Sequence, residues 1–169
     1  MAYNMFLKVE GVEGDSTDAA HEKWIEVVSL SHGISQEARL ASITGGHAGH
    51  PGSSPSRCDL RDFSVTKRLD RASIPLVHKI LTAEVIPEIT LEICRATGEK
   101  TTFMKVVLKS SFVASIALNG SASAEDPLPI EEVTFRYGEI AWTYTETSPS
   151  GTPGAAFEEW YSVMENQPM

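Results

Sequence analysis

Large apolar side chains recur at every second position on either side of a break within residues 132–145, which read EVTFRYGEIAWTYT. The break is the pair Gly138-Glu139. The large apolar residues before it are Val133, Phe135 and Tyr137, and those after it are Ile140, Trp142 and Tyr144. A period of two is the signature of a strand with one buried face, and a glycine-containing break between two such runs is typical of a hairpin. We therefore predict a closing β-hairpin over these residues.

The same period recurs along most of the chain. It predicts further strands at about residues 5–10, 23–35, 60–69, 87–93 and 100–118. One short helix is predicted at about residues 73–83, with Ser73 as its N-cap and Pro75 in its first turn. This pattern indicates a mainly β fold, a closed or nearly closed β-barrel with one short lateral α-helix, because closure removes exposed strand edges.

A long segment without strand or helix periodicity separates two of these strands, at about residues 38–59. It is rich in Gly, Pro and Ser, and loops of this length in compact domains are usually functional. We predict a barrel domain over residues 1–147 that carries this extended loop. A C-terminal tail follows at residues 148–169, whose apolar residues either dock as a short helical turn or remain mobile.

Composition narrows the classes of function. A chain of 169 residues fits a single domain, and its net charge of −9 disfavours nucleic acid and anionic membranes as partners. Cys58 and Cys94 are too few for a disulfide framework and are expected to be reduced thiols. The first residues show no basic region and no long apolar run, so we expect synthesis and folding in the cytoplasm, without a signal peptide or a membrane insertion.

Ser16, Asp18 and His21 are the residue types of a hydrolase triad. Triad members normally come from distant parts of a chain, and no glycine-flanked nucleophile accompanies Ser16. The alternative is that Ser16 and Asp18 cap a turn with their side chains. We expect the turn and no enzymatic activity.

His47, His50, Cys58 and Asp59 carry atoms that bind zinc. They lack a second set of ligands at metal-binding spacing, and their Gly, Ser and Pro surroundings would have to order on binding. No phosphate-binding loop or dinucleotide motif is present either. We expect no metal and no cofactor, and a metal- or ligand-binding barrel module remains an alternative function.

Several motifs together resemble the haemolysin-coregulated protein (Hcp) family. They are FLKV at 6–9, GVEGDSTDAAH at 11–21, IEV at 25–27, SHGISQ at 31–36, LRDFSVTKRLD at 60–70, EVTF at 132–135 and IAWTY at 140–144. The resemblance implies a β-barrel protomer, a hexameric ring of identical subunits, and head-to-tail stacking of rings into the expelled tube of a type VI secretion system. It also implies sheath and spike proteins and small effectors as partners, and export without a cleaved signal.

The family resemblance suggests roles for two regions. The extended loop is long enough to reach the next ring, through Ser42, Gly45, Gly46, His47 and His50. After Leu108, strict alternation predicts that Phe112, Ala114, Ile116 and Leu118 face the barrel core. The small residues between them, Ser111, Val113 and Ser115, are then predicted to line the ring lumen and contact effectors, with a tight subunit interface as the alternative for Ser115.

Overall fold

The computed structural model describes residues 3–36, 58–96, 101–120, 128–147 and 153–168. These residues form one helix, α1 (Ser73–Thr82), and eleven strands: β1 (Tyr3–Val9), β2 (Ile25–Ser31), β3 (Ile34–Gln36), β4 (Cys58–Leu60), β5 (Phe63–Arg68), β6 (Ile86–Arg95), β7 (Thr102–Asn119), β8 (Ile130–Arg136), β9 (Glu139–Thr147), β10 (Pro153–Ser162) and β11 (Gln167–Pro168). The mainly β fold with one short helix is confirmed.

Six strands close into a barrel. Hydrogen bonds join them in the order β7-β6-β1-β2-β5-β8, and β8 pairs back onto β7 to complete the circle. Alternate residues of these strands point into the barrel, and their side chains form its core. The fully buried ones include Leu7, Ile25, Phe63, Leu91 and Phe135. The predicted closed barrel is confirmed.

The C-terminal half of the barrel is built on β7 rather than on a hairpin at Gly138. β9 pairs with β7 from Met104 to Lys109, and β8 continues along β7 from Phe112 onward. Between them, the Gly138 N–H donates to the Lys109 carbonyl at 3.0 Å. β8 and β9 therefore lie end to end along one strand and do not pair with each other. The predicted closing hairpin is wrong, because the break at Gly138 interrupts a strand without reversing it.

The segment after residue 152 extends this sheet. β10 pairs with β9, placing Phe157 opposite Tyr144 and Trp160 opposite Ala141, and the short β11 pairs with the end of β10. The expectation of a helical turn or a mobile tail is wrong for residues 153–162, because β9 offers a strand edge that β10 covers. We call β9, β10 and β11 the wing.

The helix α1 lies against the barrel through the buried Leu76 and leaves Ile74 and Leu81 exposed. It begins one residue after Ala72, which occupies the N-cap position without a side-chain cap, so the prediction of Ser73 as the N-cap is wrong. No helix among the described residues is long and apolar enough to cross a bilayer.

Ser73 instead belongs to a buried polar group between α1 and the barrel. Lys67 Nζ lies 2.7 Å from Glu131 Oε2 and 2.8 Å from Asp70 Oδ1, and it donates to Ser73 Oγ at 3.0 Å. The Ser73 hydroxyl donates to the same Glu131 oxygen at 2.6 Å. These four residues, the Lys67 cluster, fasten the start of α1 to β5 and β8.

Candidate functional surfaces

The predicted lumen face of β7 is interrupted by two irregularities. Ser110 has a φ of 51°, and the register with β8 shifts between Val113 and Ser115. Each irregularity reverses which residues point inward. Ser111 and Val113 therefore lie inside the barrel, fully buried, whereas Phe112 is 38% exposed. The predicted lumen contacts of Ser111 and Val113, and the inward position of Phe112, are wrong.

Ser115 remains on the outer surface and heads a row of small polar side chains. It pairs with Thr134 on β8, which pairs with Ser64 on β5, which pairs with Ser31 on β2. Ser64 Oγ and Thr134 Oγ1 lie 2.9 Å apart. A parallel row runs through Ala117, Glu132, Thr66 and Ser29. We call these eight residues the small-polar face; it spans four neighbouring strands on the outside of the barrel.

The wing carries an uncovered apolar row. Along β9 the inward-facing set passes from the buried Ile140 to the half-buried Trp142 and then to Tyr144, which is 47% exposed. Phe157 on β10 pairs with Tyr144 and is 58% exposed. The core face of the sheet thus continues beyond the barrel, where the described residues leave it open to solvent.

A groove of about 680 Å³ lies along β1 and β2, lined among others by Tyr3, Thr17, Val28 and Arg68. In the six-strand circle β2 is three strands from β7, from which the wing extends. The wing and the groove therefore occupy opposite walls of the barrel. One is a projecting apolar edge and the other is concave.

The triad-type residues of the β1–β2 connection form a turn. Ser16 Oγ accepts the Asp18 N–H at 3.3 Å, and Asp18 Oδ1 accepts the Ala20 N–H at 3.1 Å. His21 Nδ1 also lies 2.9 Å from Asp18 Oδ1. Its Nε2, the atom that would activate a serine, faces Glu92 at 3.1 Å instead. The turn interpretation is confirmed, and these contacts do not build a serine nucleophile.

A second polar group, missed in the sequence, surrounds His21. Its imidazole stacks on Phe6 with ring centroids 4.2 Å apart and lies over β6, where Nε2 meets Glu92 and comes within 3.8 Å of Cys94 Sγ. Thr102 Oγ1 donates to Glu92 Oε2 at 3.0 Å and lies 3.3 Å from that sulfur. Burial raises the pKa of the Cys94 thiol. We call Asp18, His21, Glu92, Cys94 and Thr102 the His21 cluster.

The other metal-capable set is only partly within the described residues. Cys58 and Asp59 lie on the short strand β4, which pairs with β3 at the base of the extended loop. His47 and His50 lie outside the described residues, and so do Ser42, Gly45 and Gly46. The predicted ring-stacking contacts of the loop therefore remain predictions.

Comparisons with known proteins agree on one family. Residues 6–144 match the family model described as "Type VI secretion system effector, Hcp". The chain is 29% identical to the protein hcp1 of Pseudomonas aeruginosa over 168 residues, 98% of each chain. A solved structure of a type six secretion system protein superposes with a TM-score of 0.89 at 29% identity, covering 99% of this chain and all of the other. Hcp1 from Salmonella typhimurium has the same fold, with a TM-score of 0.79 at 24% identity and complete coverage of both chains.

Proposed function

Because the chain belongs to the Hcp family of type VI secretion system tube proteins, we propose that it forms hexameric rings that stack head to tail into the expelled inner tube. The observation that carries this proposal is the placement of the wing and the groove on opposite walls of one barrel. A ring of identical subunits with head-to-tail contacts requires two different surfaces on each subunit, whereas a two-fold dimer requires only one.

The chemistry of the two surfaces supports a lateral contact. Tyr144 and Phe157 expose a contiguous aromatic edge, and aromatic side chains are enriched in the buried centres of protein interfaces. The groove offers Tyr3 and Val28 as apolar lining and Asp18, Glu26 and Arg68 as charged lining. Inserting the wing of one subunit into the groove of the next would cover both, and repetition of that contact generates a ring.

The small-polar face is the surface that we assign to the ring lumen, with Ser115 as its effector contact. An aqueous channel that passes folded cargo requires a wall without bulky apolar projections, and the side chains here are short or charged. Small effectors carried in the lumen would bind by polar contacts to Ser115 and Thr134.

The extended loop would provide axial contacts between neighbouring rings. The outer circumference of the ring would contact the sheath, and the spike would bind at the tip of the tube. The role is structural, without catalysis.

Native mass spectrometry of the purified protein tests the ring. We expect hexamers at micromolar concentration, reduced to monomers by Phe157→Asp, because a carboxylate in a closed apolar contact is left unpaired. Leu81→Asp is the matched control, since Leu81 is also apolar and exposed but lies on α1. A wild-type protein that stays monomeric across this range would refute the assembly.

Ser115→Gln tests the lumen assignment. A residue on a wide aqueous wall accepts added volume, whereas overpacking a tight contact costs about 1–3 kcal/mol. We expect hexamers to persist in size-exclusion chromatography while co-purifying effector is lost. Ser115→Ala, which removes the hydroxyl without adding volume, should retain the hexamers and weaken effector binding less than Ser115→Gln does. Dissociation into monomers would place Ser115 at the subunit interface instead.

Shortening the loop between Ser42 and Pro55 tests the axial contact. We expect the shortened protein to form rings that no longer stack into tubes in electron micrographs and are no longer secreted. Loss of the rings themselves would make the loop a lateral element.

A further inference from the structure

Glu92 and Cys94 stand side by side on the outer face of β6. They are two residues apart on one strand, so their side chains point the same way, and they pair with Phe6 and Asn4 of β1. The β1–β2 connection folds over this place and brings His21 onto it. One nitrogen, one carboxylate oxygen and one sulfur then lie within 4.8 Å of one another.

We propose that the His21 cluster binds one divalent transition-metal ion of the zinc class through His21 Nε2, a Glu92 carboxylate oxygen and Cys94 Sγ. Imidazole, thiolate and carboxylate are the three ligand types that zinc accepts, and tetrahedral bonds of about 2.0–2.3 Å separate neighbouring ligand atoms by about 3.3–3.7 Å. The distances from His21 Nε2, 3.1 Å to Glu92 Oε2 and 3.8 Å to Cys94 Sγ, lie close to that range. The Glu92 oxygen and the Cys94 sulfur, which lie within 4.8 Å of each other, would have to approach by up to about 1 Å on binding.

The surroundings hold these ligands in place. Asp18 Oδ1 lies 2.9 Å from His21 Nδ1, which fixes the ring orientation and directs Nε2 toward β6. The Thr102 hydroxyl contacts both the Glu92 carboxylate and the Cys94 sulfur. A carboxylate behind a histidine ligand and a hydrogen bond to a carboxylate ligand, here donated by Thr102 to Glu92, are usual supports of zinc sites.

Access and selectivity follow from burial and donor type. The Glu92 side chain is 20% exposed and the His21 side chain 4%, so an ion would enter past Glu92, and a water would complete the coordination on that side. One sulfur and one imidazole ligand favour zinc over magnesium or calcium, which require oxygen ligands. A bound ion would hold the thiol as a thiolate, with its proton released to solvent, and would link the β1–β2 connection to β6 through coordinate bonds.

Cobalt titration of the chelator-treated, full-length protein tests the site, because Co²⁺ bound to a thiolate gives an absorption band that other ligands do not. We expect one Co²⁺ per chain, displaced by Zn²⁺, with the band present in the wild type and absent in Cys94→Ser. Cys58→Ser is the matched control: it removes the other cysteine, which lies on β4, and should retain the band.

Glu92→Gln is a second test of the site, needed because Cys94→Ser could lose the band through a folding defect. Its amide still hydrogen-bonds Thr102 but ligates metal poorly, so we expect at least tenfold weaker Zn²⁺ binding and a smaller rise in melting temperature on adding Zn²⁺. Loss of the band in Cys58→Ser with retention in Cys94→Ser would move the site to the extended loop. Absence of saturable binding, or equal affinity in the wild type and Glu92→Gln, would overturn the proposal. The outcome of the metal titration is independent of ring formation, because all the ligands lie within one chain and monomers can be titrated.

Discussion

The Lys67 cluster and the His21 cluster perform the same task with different chemistry. Each is buried, and each fastens a covering segment to the barrel, α1 in one case and the β1–β2 connection in the other. Lys67 is 0% exposed and brings its own ammonium group to two carboxylates, a hydroxyl and the Arg68 carbonyl. His21 lies between two carboxylates and a thiol.

The difference concerns which group supplies positive charge. In the Lys67 cluster the ammonium occupies the centre, and its donors are used by surrounding oxygens, so the cluster is complete as a side-chain network. In the His21 cluster three ligand atoms converge with no lysine or arginine among its members. The Lys67 cluster therefore needs no further group, whereas the His21 cluster holds three ligand atoms that fit the metal ion proposed above.

The largest effect is expected from Lys67→Met. Removing the ammonium leaves Glu131 buried with only the Ser73 hydroxyl, and breaking a buried ion pair typically costs about 3–5 kcal/mol in the free energy of unfolding. Denaturant unfolding at matched protein concentration and matched oligomeric state measures this loss.

The double variant Lys67→Met/Glu131→Leu should recover much of that stability, because two apolar side chains of similar volume need no partners. Arg136→Ala is the control, since the Arg136–Asp62 pair is exposed and its loss should change stability little. If the single and double variants were equally unstable, the loss would come from the ammonium's contacts with Asp70, Ser73 and the Arg68 carbonyl rather than from an unpaired Glu131.

A smaller loss is expected from His21→Ala. This change uncovers Phe6 and deprives Asp18 and Glu92 of their shared partner, which we expect to cost about 2 kcal/mol. Ser16→Ala removes a single hydrogen bond to the Asp18 N–H and should cost less than about 1 kcal/mol. Equal losses in the two variants would show that the connection is held by its turn rather than by the imidazole.

The barrel could be predicted because its signal is local. Alternation in β1, β5 and β8 appears in the residue types themselves, and each strand buries the set that the pattern selects. The faces of β7 could not be predicted, since they depend on the backbone at Ser110 and on the shift after Val113. The residue types also cannot say whether a glycine break such as Gly138 reverses a strand or only interrupts it.

The two polar clusters also differ in how far the sequence predicts them. Lys67 follows Phe63 and Val65 on the inward face of β5, so alternation alone could have identified a buried lysine that needs an acidic partner. The His21 cluster joins residues 71 positions apart in the sequence. Its only local signal is that Glu92 and Cys94 share one face of β6, and nothing in the sequence indicates that His21 lies over that face.

The smallest effect is expected at a half-buried imidazole, that of His32, whose partner is a phenol instead of the two carboxylates beside His21. His32 Nε2 lies 2.8 Å from Tyr137 Oη, whose hydroxyl donates to the Arg61 carbonyl, and burial lowers the pKa of His32 below 6.5. Between that lowered pKa and about 6.5, the unfolded chain binds more protons than the folded one, so the free energy of unfolding falls as the pH drops through about 6.5 and levels off below the folded pKa. His32→Gln keeps a donor for Tyr137 and should remove this part of the pH dependence, measured as the slope of unfolding free energy between about pH 8 and about pH 5.5. His78→Gln, the same change at an exposed position of α1, is the matched control. A wild-type slope that survives His32→Gln would assign the pH dependence to other groups and contradict this prediction.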